Sequence, residues 1–246
     1  TNGSVIRPAA FCGVYGFKPT HGLISRHGIL NLSRPLDQVG MFARTLDDIA
    51  LLAAQLTGYD ERDPDTCVRA RIPFVQTAGE EPPLAPHFAF VRTPLWERTE
   101  DETRDAFAEL TGVLGGQCRE YELPESLRDA WDWHRTIMEA EMGANLDLEW
   151  EKGRDRLSES LRDQLARGRE VRALDYQKAL ARIAVLNQGF EELFSSYDAV
   201  LTPAAPGTAP KLAATGDPAF CTLWTLCGMP ALSLPLMNGA NGLPLG

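Results

Sequence analysis

The residues that could do chemistry concentrate at the start of the chain, in Thr1-Asn2-Gly3-Ser4 followed by Val5-Ile6-Arg7-Pro8. A serine hydroxyl becomes an effective nucleophile once a base or proton relay is within hydrogen-bond reach. Gly3 lacks a side chain and tolerates a left-handed backbone, so successive N–H groups around it can converge on a single oxygen. Donors arranged in this way hold the oxyanion that forms when a nucleophile attacks a carbonyl, and losing one typically costs about a hundredfold in rate. On one reading of this run, Ser4 is a nucleophile and the backbone N–H groups of Thr1, Asn2, Gly3 and Ser4 are an oxyanion hole. Asn2 fits this turn because asparagine accepts left-handed geometry better than other non-glycine residues. The competing reading makes Ser4 a helix N-cap whose oxygen accepts a backbone N–H, with Pro8 in or near the first turn. Arg7 offers a rigid fork of donors, suited equally to a substrate carboxylate and to a protein acceptor that braces the loop.

The run continues through Gly13-Val14-Tyr15-Gly16-Phe17-Lys18-Pro19-Thr20, and a second segment reads Ser33-Arg34-Pro35-Leu36-Asp37-Gln38-Val39-Gly40-Met41-Phe42-Ala43-Arg44-Thr45. A third, near the end, reads Trp224-Thr225-Leu226-Cys227-Gly228-Met229-Pro230-Ala231-Leu232-Ser233-Leu234-Pro235, followed by Gly242-Leu243-Pro244. Together these segments resemble the amidase signature family, densely at both ends of the chain and thinly between. The resemblance implies an α/β fold with a mixed twisted sheet covered by helices, and amide hydrolysis through an acyl-enzyme on Ser4 with no metal or organic cofactor. It also implies that the third segment forms the last core strand. In that family a lysine is the ultimate base and acts through a second serine on a cis peptide bond, both upstream of the nucleophile loop. Lys18 belongs to the Lys-Pro-Thr match, and none of Lys18, Lys152, Lys178 and Lys211 carries over as that base. Residues 1–246 are accordingly expected to form one partial domain, incomplete at both ends and inactive alone. Asp37, Arg44 and Thr45 read as braces that pair with one another or cap local turns.

Arginine usually stands two positions after the nucleophile in this family, whereas Ser4-Val5-Ile6-Arg7 places it at the third, an arrangement similar to malonamidase-type enzymes. There the resemblance implies an arginine that pairs with a substrate carboxylate, so the expected substrate is a small or carboxylate-bearing amide. Asn2 also departs from the family, which usually has glycine at that position. A second reading is the glutaminase subunit of the tRNA-dependent amidotransferases, which works in a complex and normally keeps arginine at the second position. A third is a Ser-His-Asp hydrolase built from Ser4, His21 and Asp37 or Asp47, against which stands the absence of a Gly-x-Ser-x-Gly elbow.

With 246 residues and 44% hydrophobic content the chain can bury a sizeable core. Its formal net charge of −10, with no compensating basic run, argues against nucleic acid as a partner. No apolar run approaches membrane-spanning length, so a membrane is not an expected partner either. The five cysteines form an odd set without metal spacing, which fits reduced thiols, a cytoplasmic setting and no metal site. A small-molecule amide is the expected partner, with a homodimer as the assembly to test.

The elements that must position Ser4 follow from periodicity. Leu46, Ile49, Ala50, Ala53 and Leu56 share one face of a helix that starts near Thr45 and stops before Gly58. Residues 59–86 read as a surface excursion, His87 to Val91 as a strand, and Asp101 to Leu114 as a helix. Residues from about 124 to 193 read as a charged helical region that the resemblance makes a variable cap. Trp131, His134, Met138 and Met142 fall near one of its faces. Trp131, Trp133 and Trp150 are candidate pocket walls, with plain helix packing the commoner fate of such side chains. Tyr197 to Pro203 reads as a buried strand whose exit, Thr202 to Gly207, faces a site or is an ordinary loop, with a proline-broken, flexible connection to Thr215 beyond it.

Overall fold

A computed structural model describes residues 2–124 and 127–246. The first helix, α1 (Ile6–Cys12), carries Pro8 early, where a missing N–H costs nothing, and ends at Gly13 in the left-handed region. It leads into β1 (Tyr15–Lys18), which pairs antiparallel with β2 (Met41–Ala43), Phe17 standing opposite Met41. Helix α2 (Leu46–Leu56) starts as its sequence predicts: Thr45 Oγ1 accepts from Asp48 N at 3.1 Å, and Asp47 and Asp48 face the positive end of the helix dipole. Its buried stripe is Ile49, Ala50 and Ala53, whereas Leu46 and Leu56 are exposed. Eleven helical residues run about 16 Å while a three-residue strand covers about 10 Å, so the sheet underneath reaches only the middle of the helix.

The excursion at 59–86 contains a short helix, α3 (Phe74–Ala78), whose Phe74 meets Phe17 edge to face at 6.2 Å. Next come β3 (Phe88–Arg92), α4 (Asp101–Leu114) and β4 (Cys118–Glu122), a parallel crossover in which β4 is a strand that periodicity does not announce. The charged region resolves into α5 (Ala130–Asn145), α6 (Asp147–Gly153), α7 (Glu159–Glu170) and α8 (Ala173–Phe194). The chain then forms β5 (Ala199–Leu201), α9 (Thr222–Leu226), β6 (Ala231–Ser233), β7 (Met237–Asn238) and β8 (Pro244–Leu245). The third family-like segment thus begins at the end of α9 and is strand only at Ala231–Ser233, rather than strand throughout.

The fold is mixed α/β, and among the described residues its strands fall into small sheets ordered β2-β1-β6, β4-β3-β5 and β7-β8. The first is antiparallel and the second parallel, so the mixed pairing is divided between sheets instead of sharing one. The main core joins Ile137 of α5, Leu186, Phe190 and Leu193 of α8, and Leu223 and Leu226 of α9 against Ala89 and Val91 of β3. Trp131 and Trp133 pack against this cluster, and Trp150 packs on a smaller one beneath Arg154, whose guanidinium lies 4.1 Å from its ring centre. Trp131 Nε1 donates to Ala219 O at 2.8 Å, which ties α5 to the turn preceding α9. No described helix is long and apolar enough to cross a membrane.

A polar knot pins the excursion beneath the segment that leads to Asp37. Arg26 donates to Asp63 from Nε at 3.0 Å and from Nη2 at 2.7 Å, and it also contacts Asp65, which Arg34 reaches at 2.8 Å. The bonds from Arg26 hold the Asp63 carboxyl well below its ordinary range. Burial pushes Asp65 up, but hydrogen bonds from Arg34 and Arg26 outweigh it and hold its pKa down to about 2.

Two measurements check this account of the fold. A Cβ on Gly168 would lie 1.8 Å from Glu139 O, where α7 crosses α5, whereas nothing lies within 4 Å of one on Gly189. Gly168→Ala should therefore destabilise by about 1–3 kcal/mol in urea unfolding, and Gly189→Ala should stabilise by about 0.5–1 kcal/mol. Unfolded aspartate titrates near pH 4, above Asp63 and Asp65 in the fold, so below about pH 4 the unfolded chain binds protons first and stability falls. The contribution is complete above about pH 5, and Asp63→Asn should flatten the loss of stability between about pH 4 and pH 2; parallel acid limbs would disprove it.

Candidate active site

Gly3 has φ +63°, and a Cβ there would stand 2.9 Å from Arg7 Nε and 3.0 Å from Cys221 Cβ. The backbone of the serine loop therefore lies directly on the turn before α9. Asn2 adds a bond to the same region, its Nδ2 donating to Thr222 Oγ1 at 2.8 Å. Helix α1 is capped by Val5 without a side-chain hydrogen bond, so Ser4 is not an N-cap. Its side chain is exposed, while Gly3 and Val5 on either side are buried. Among the described residues no acceptor takes the N–H groups of Gly3 and Ser4. The same holds for the N–H of Asn2, and Thr1, the fourth oxyanion candidate, lies outside the described residues.

Asn2, Gly3 and Ser4 line a cavity of about 640 Å³. Its wall is mostly apolar, with Phe107, Phe220, Trp224 and Leu232 among the contributors. Strands β5 and β6, each the last in its sheet, both line it, so the cavity stands between the two three-stranded sheets. Thr202, Pro203 and Ala204 also line it, so the exit of β5 faces the cavity. Trp131, Trp133 and Trp150 take no part in the lining, their surface being spent on helix packing and cations.

Arg7 is buried and turned away. Its Nη1 donates to Thr215 O and Gly216 O, each at 2.5 Å, and it does not line the cavity. Burial lowers its pKa, an effect opposed by Cys221 and Asp217. The structure thus gives the guanidinium the bracing task and anchors the far end of the 204–216 connection; it does not bring Arg7 together with Ser4 on the cavity wall. Burial pushes the Cys221 thiol up to about 12, so it supplies no competing nucleophile, and its Sγ lies 3.3 Å from Ala204 O.

Lys18, which the sequence placed in the Lys-Pro-Thr match and not at the cavity, and Gln38 also line the cavity. Lys18 Nζ donates to Gln38 Oε1 at 2.9 Å and to Met229 O, and burial lowers its pKa to about 8. As an ammonium already donating to two acceptors, it offers Ser4 no lone pair. The signal available was a single lysine between Phe17 and Pro19 in a strand, where the flanking residues predict burial and burial demands acceptors. Asp37 is buried and accepts from Leu32 N at 2.7 Å and Ser33 N at 2.9 Å, while Arg44 is exposed and Thr45 caps α2. His21 meets Asp65 at 3.2 Å, not Asp37 or Asp47, and does not line the cavity, so the Ser-His-Asp grouping is not assembled.

The family model for amidase matches residues 1–246. The chain belongs to the amidase family. It is 32% identical over 280 residues to the A subunit of glutamyl-tRNA(Gln) amidotransferase from Synechococcus sp. (strain JA-3-3Ab), covering all of this chain and 54% of that protein. The chain thus spans about half the length of the curated relatives it matches. The crystal structure of the A subunit of glutamyl-tRNA(Gln) amidotransferase from Thermotoga maritima matches with a TM-score of 0.77 at 28% identity, over 99% of this chain and 55% of that one. A protein from a vestigial complex tied to the evolutionary origins of an s-triazine catabolic enzyme matches with a TM-score of 0.87 over 100% of this chain and 56% of that one. At 22% identity that likeness speaks to the fold alone.

The contact at Gly3 is testable without substrate. Gly28 also has positive φ (+86°) but nothing within 4 Å of the point where a Cβ would stand, so the two glycines separate backbone strain from crowding. Gly28→Ala should cost about 1–2 kcal/mol and Gly3→Ala about 1–3 kcal/mol more, read from denaturant midpoints; equal costs would remove the crowding argument.

Proposed function

We propose that this chain carries the nucleophile side of a serine-dependent amidase. The observation that carries the reading is the pairing of an exposed Ser4 hydroxyl with the unclaimed N–H groups of Gly3 and Ser4 at one cavity, in a chain that matches the amidase family over residues 1–246. Ser4 Oγ attacks the amide carbon and gives up its proton, and the backbone donors hold the resulting oxyanion. The C–N bond then breaks, the nitrogen leaves protonated as ammonia or an amine, and water cleaves the Ser4 ester to release the acid. The family resemblance assigns the proton acceptor to a lysine acting through a bridging serine, neither of them a residue of this chain, so the chain alone is not expected to turn over. The reading needs no metal or organic cofactor.

The mostly apolar wall favours a neutral amide, and Arg7, committed to Thr215 O and Gly216 O, is not required to read a substrate carboxylate. Membership of an amidotransferase complex is the second reading, favoured by the identity to relatives of that name and opposed by arginine at the third position after Ser4. The helical region at 124–193 enters the proposal as a variable cap, acting through its packing on α9.

Intact mass of the full-length protein after exposure to a fluorophosphonate, with peptide mapping, should show one adduct at Ser4 that Ser4→Ala abolishes. A folded protein left unlabelled at Ser4 would sink the hydrolase reading. Glutaminase activity that appears only with a co-purifying partner would move the amidotransferase reading ahead.

A further inference from the structure

The two peptide units that flank Gly3 are both held by Arg7, and both by their carbonyls. Gly3 O accepts from Arg7 N at 3.1 Å, and Asn2 O accepts from Arg7 Nη2 at 3.4 Å. In a planar trans peptide the N–H points opposite to the C=O, so the N–H groups of Gly3 and Ser4 both turn away from Arg7. Arg7 is off the cavity wall, whereas Gly3 and Ser4 are on it. The 3.4 Å contact is the weaker of the two, and it holds a peptide beside a glycine, whose backbone resists rotation least. The Asn2 side chain supplies a second hold on that peptide. Thr222 commits its single hydroxyl proton to Pro218 O at 3.2 Å, so its oxygen accepts from Asn2 Nδ2 at 2.8 Å. Thr222 is buried at the start of α9, next to the Cys221 on which Gly3 rests.

We propose that Asn2 is a positioning residue for the reaction at Ser4. Its bond to Thr222 keeps the Asn2–Gly3 peptide from turning over, and so keeps the Gly3 N–H on the side where the oxyanion forms; the Asn2 side chain itself need not touch substrate. Thr222 is the other half of the device, 220 residues away in sequence. The inference rests on the amidase reading of Ser4 and adds to it a hold that the glycine usual at this position in the family, having no side chain, cannot make.

The experiment follows the rate of fluorophosphonate labelling at Ser4 in the full-length protein, because attack on phosphorus loads the same donors with a developing oxyanion. Asn2→Ala and Thr222→Val each remove one partner of the bond. Losing an oxyanion donor outright costs about a hundredfold or more, so loosening one should lower the maximal labelling rate about tenfold and leave the half-saturating reagent concentration unchanged. The double variant should be no slower than either single one, since all three lack the same bond. Thr222→Ser keeps the accepting oxygen and should recover most of the rate lost in Thr222→Val. Rates are compared at a temperature at which circular dichroism shows each variant folded, and Asn2→Ala, at a half-buried position, decides the matter if Thr222→Val does not fold. An unchanged rate in Asn2→Ala, losses that multiply to about a hundredfold in the double variant, or a Thr222→Ser variant as slow as Thr222→Val would overturn the inference and leave the amidase reading standing. An unlabelled Ser4 in the unmutated protein would remove both.

Discussion

The close approach of Gly3 to Cys221, where a Cβ would stand 3.0 Å from Cys221 Cβ, sets the position of the serine loop. Three consecutive residues are placed by it in three ways. Asn2 bonds to Thr222, Gly3 lies on Cys221, and Ser4 is turned outward to the cavity. The contact in turn needs α9 to be immobile. That is the work of the main core, where Leu223 and Leu226 are fully buried, Trp224 meets Phe190 at 5.5 Å, and Trp131 holds Ala219 O. The helices from α5 to α8 therefore act on the serine loop without touching it, through the rigidity of a packed interior.

Lys18 is the second constraint, and it runs against stability. An ammonium taken out of water is costly unless its donors are met, and lowering its pKa to about 8 is the direct sign of that cost. What it secures is geometry. One atom joins β1, the loop after Asp37, and the carbonyl of Met229 ahead of β6, so three segments distant in sequence share a single hub. The Gln38 amide is oriented by the same bond. A neutral residue of similar length would pack there but would fix neither the loop nor the amide.

Much of this was legible in the sequence where the determinants are local. Helix α4 falls on Asp101–Leu114 and α2 starts at its threonine cap because capping and periodicity act within a turn or two. The buried stripe of α2 is shorter than its periodicity implies, because the sheet that would cover Leu46 and Leu56 is shorter than the helix. Strand β4 is hidden from a reading of the sequence because Cys118-Arg119-Glu120-Tyr121-Glu122 shows little alternation; its pairing comes from β3 beside it. At the serine loop, the left-handed turn at Gly3 was legible from the local run. The orientation of Arg7 was not, since its acceptors lie more than two hundred residues away, and the same holds for Asn2 with Thr222 and Lys18 with Met229. Residue type reveals the capacity to bond; only the fold names the partner.

These long-range bonds hold two buried cations on protein oxygens. Arg7 and Lys18 are both buried; Arg7 Nη1 donates to Thr215 O and Gly216 O while its Nε has no partner among the described residues, and Lys18 Nζ donates to Gln38 Oε1 and Met229 O. The cavity beside Ser4 is bounded mostly by apolar side chains, with Lys18 and Asp198 as charged residues on its lining, a composition in which apolar area supplies affinity and a few polar atoms supply orientation. In such surroundings a mismatched hydrogen bond is felt more strongly than in water, because nothing else can satisfy the buried partner.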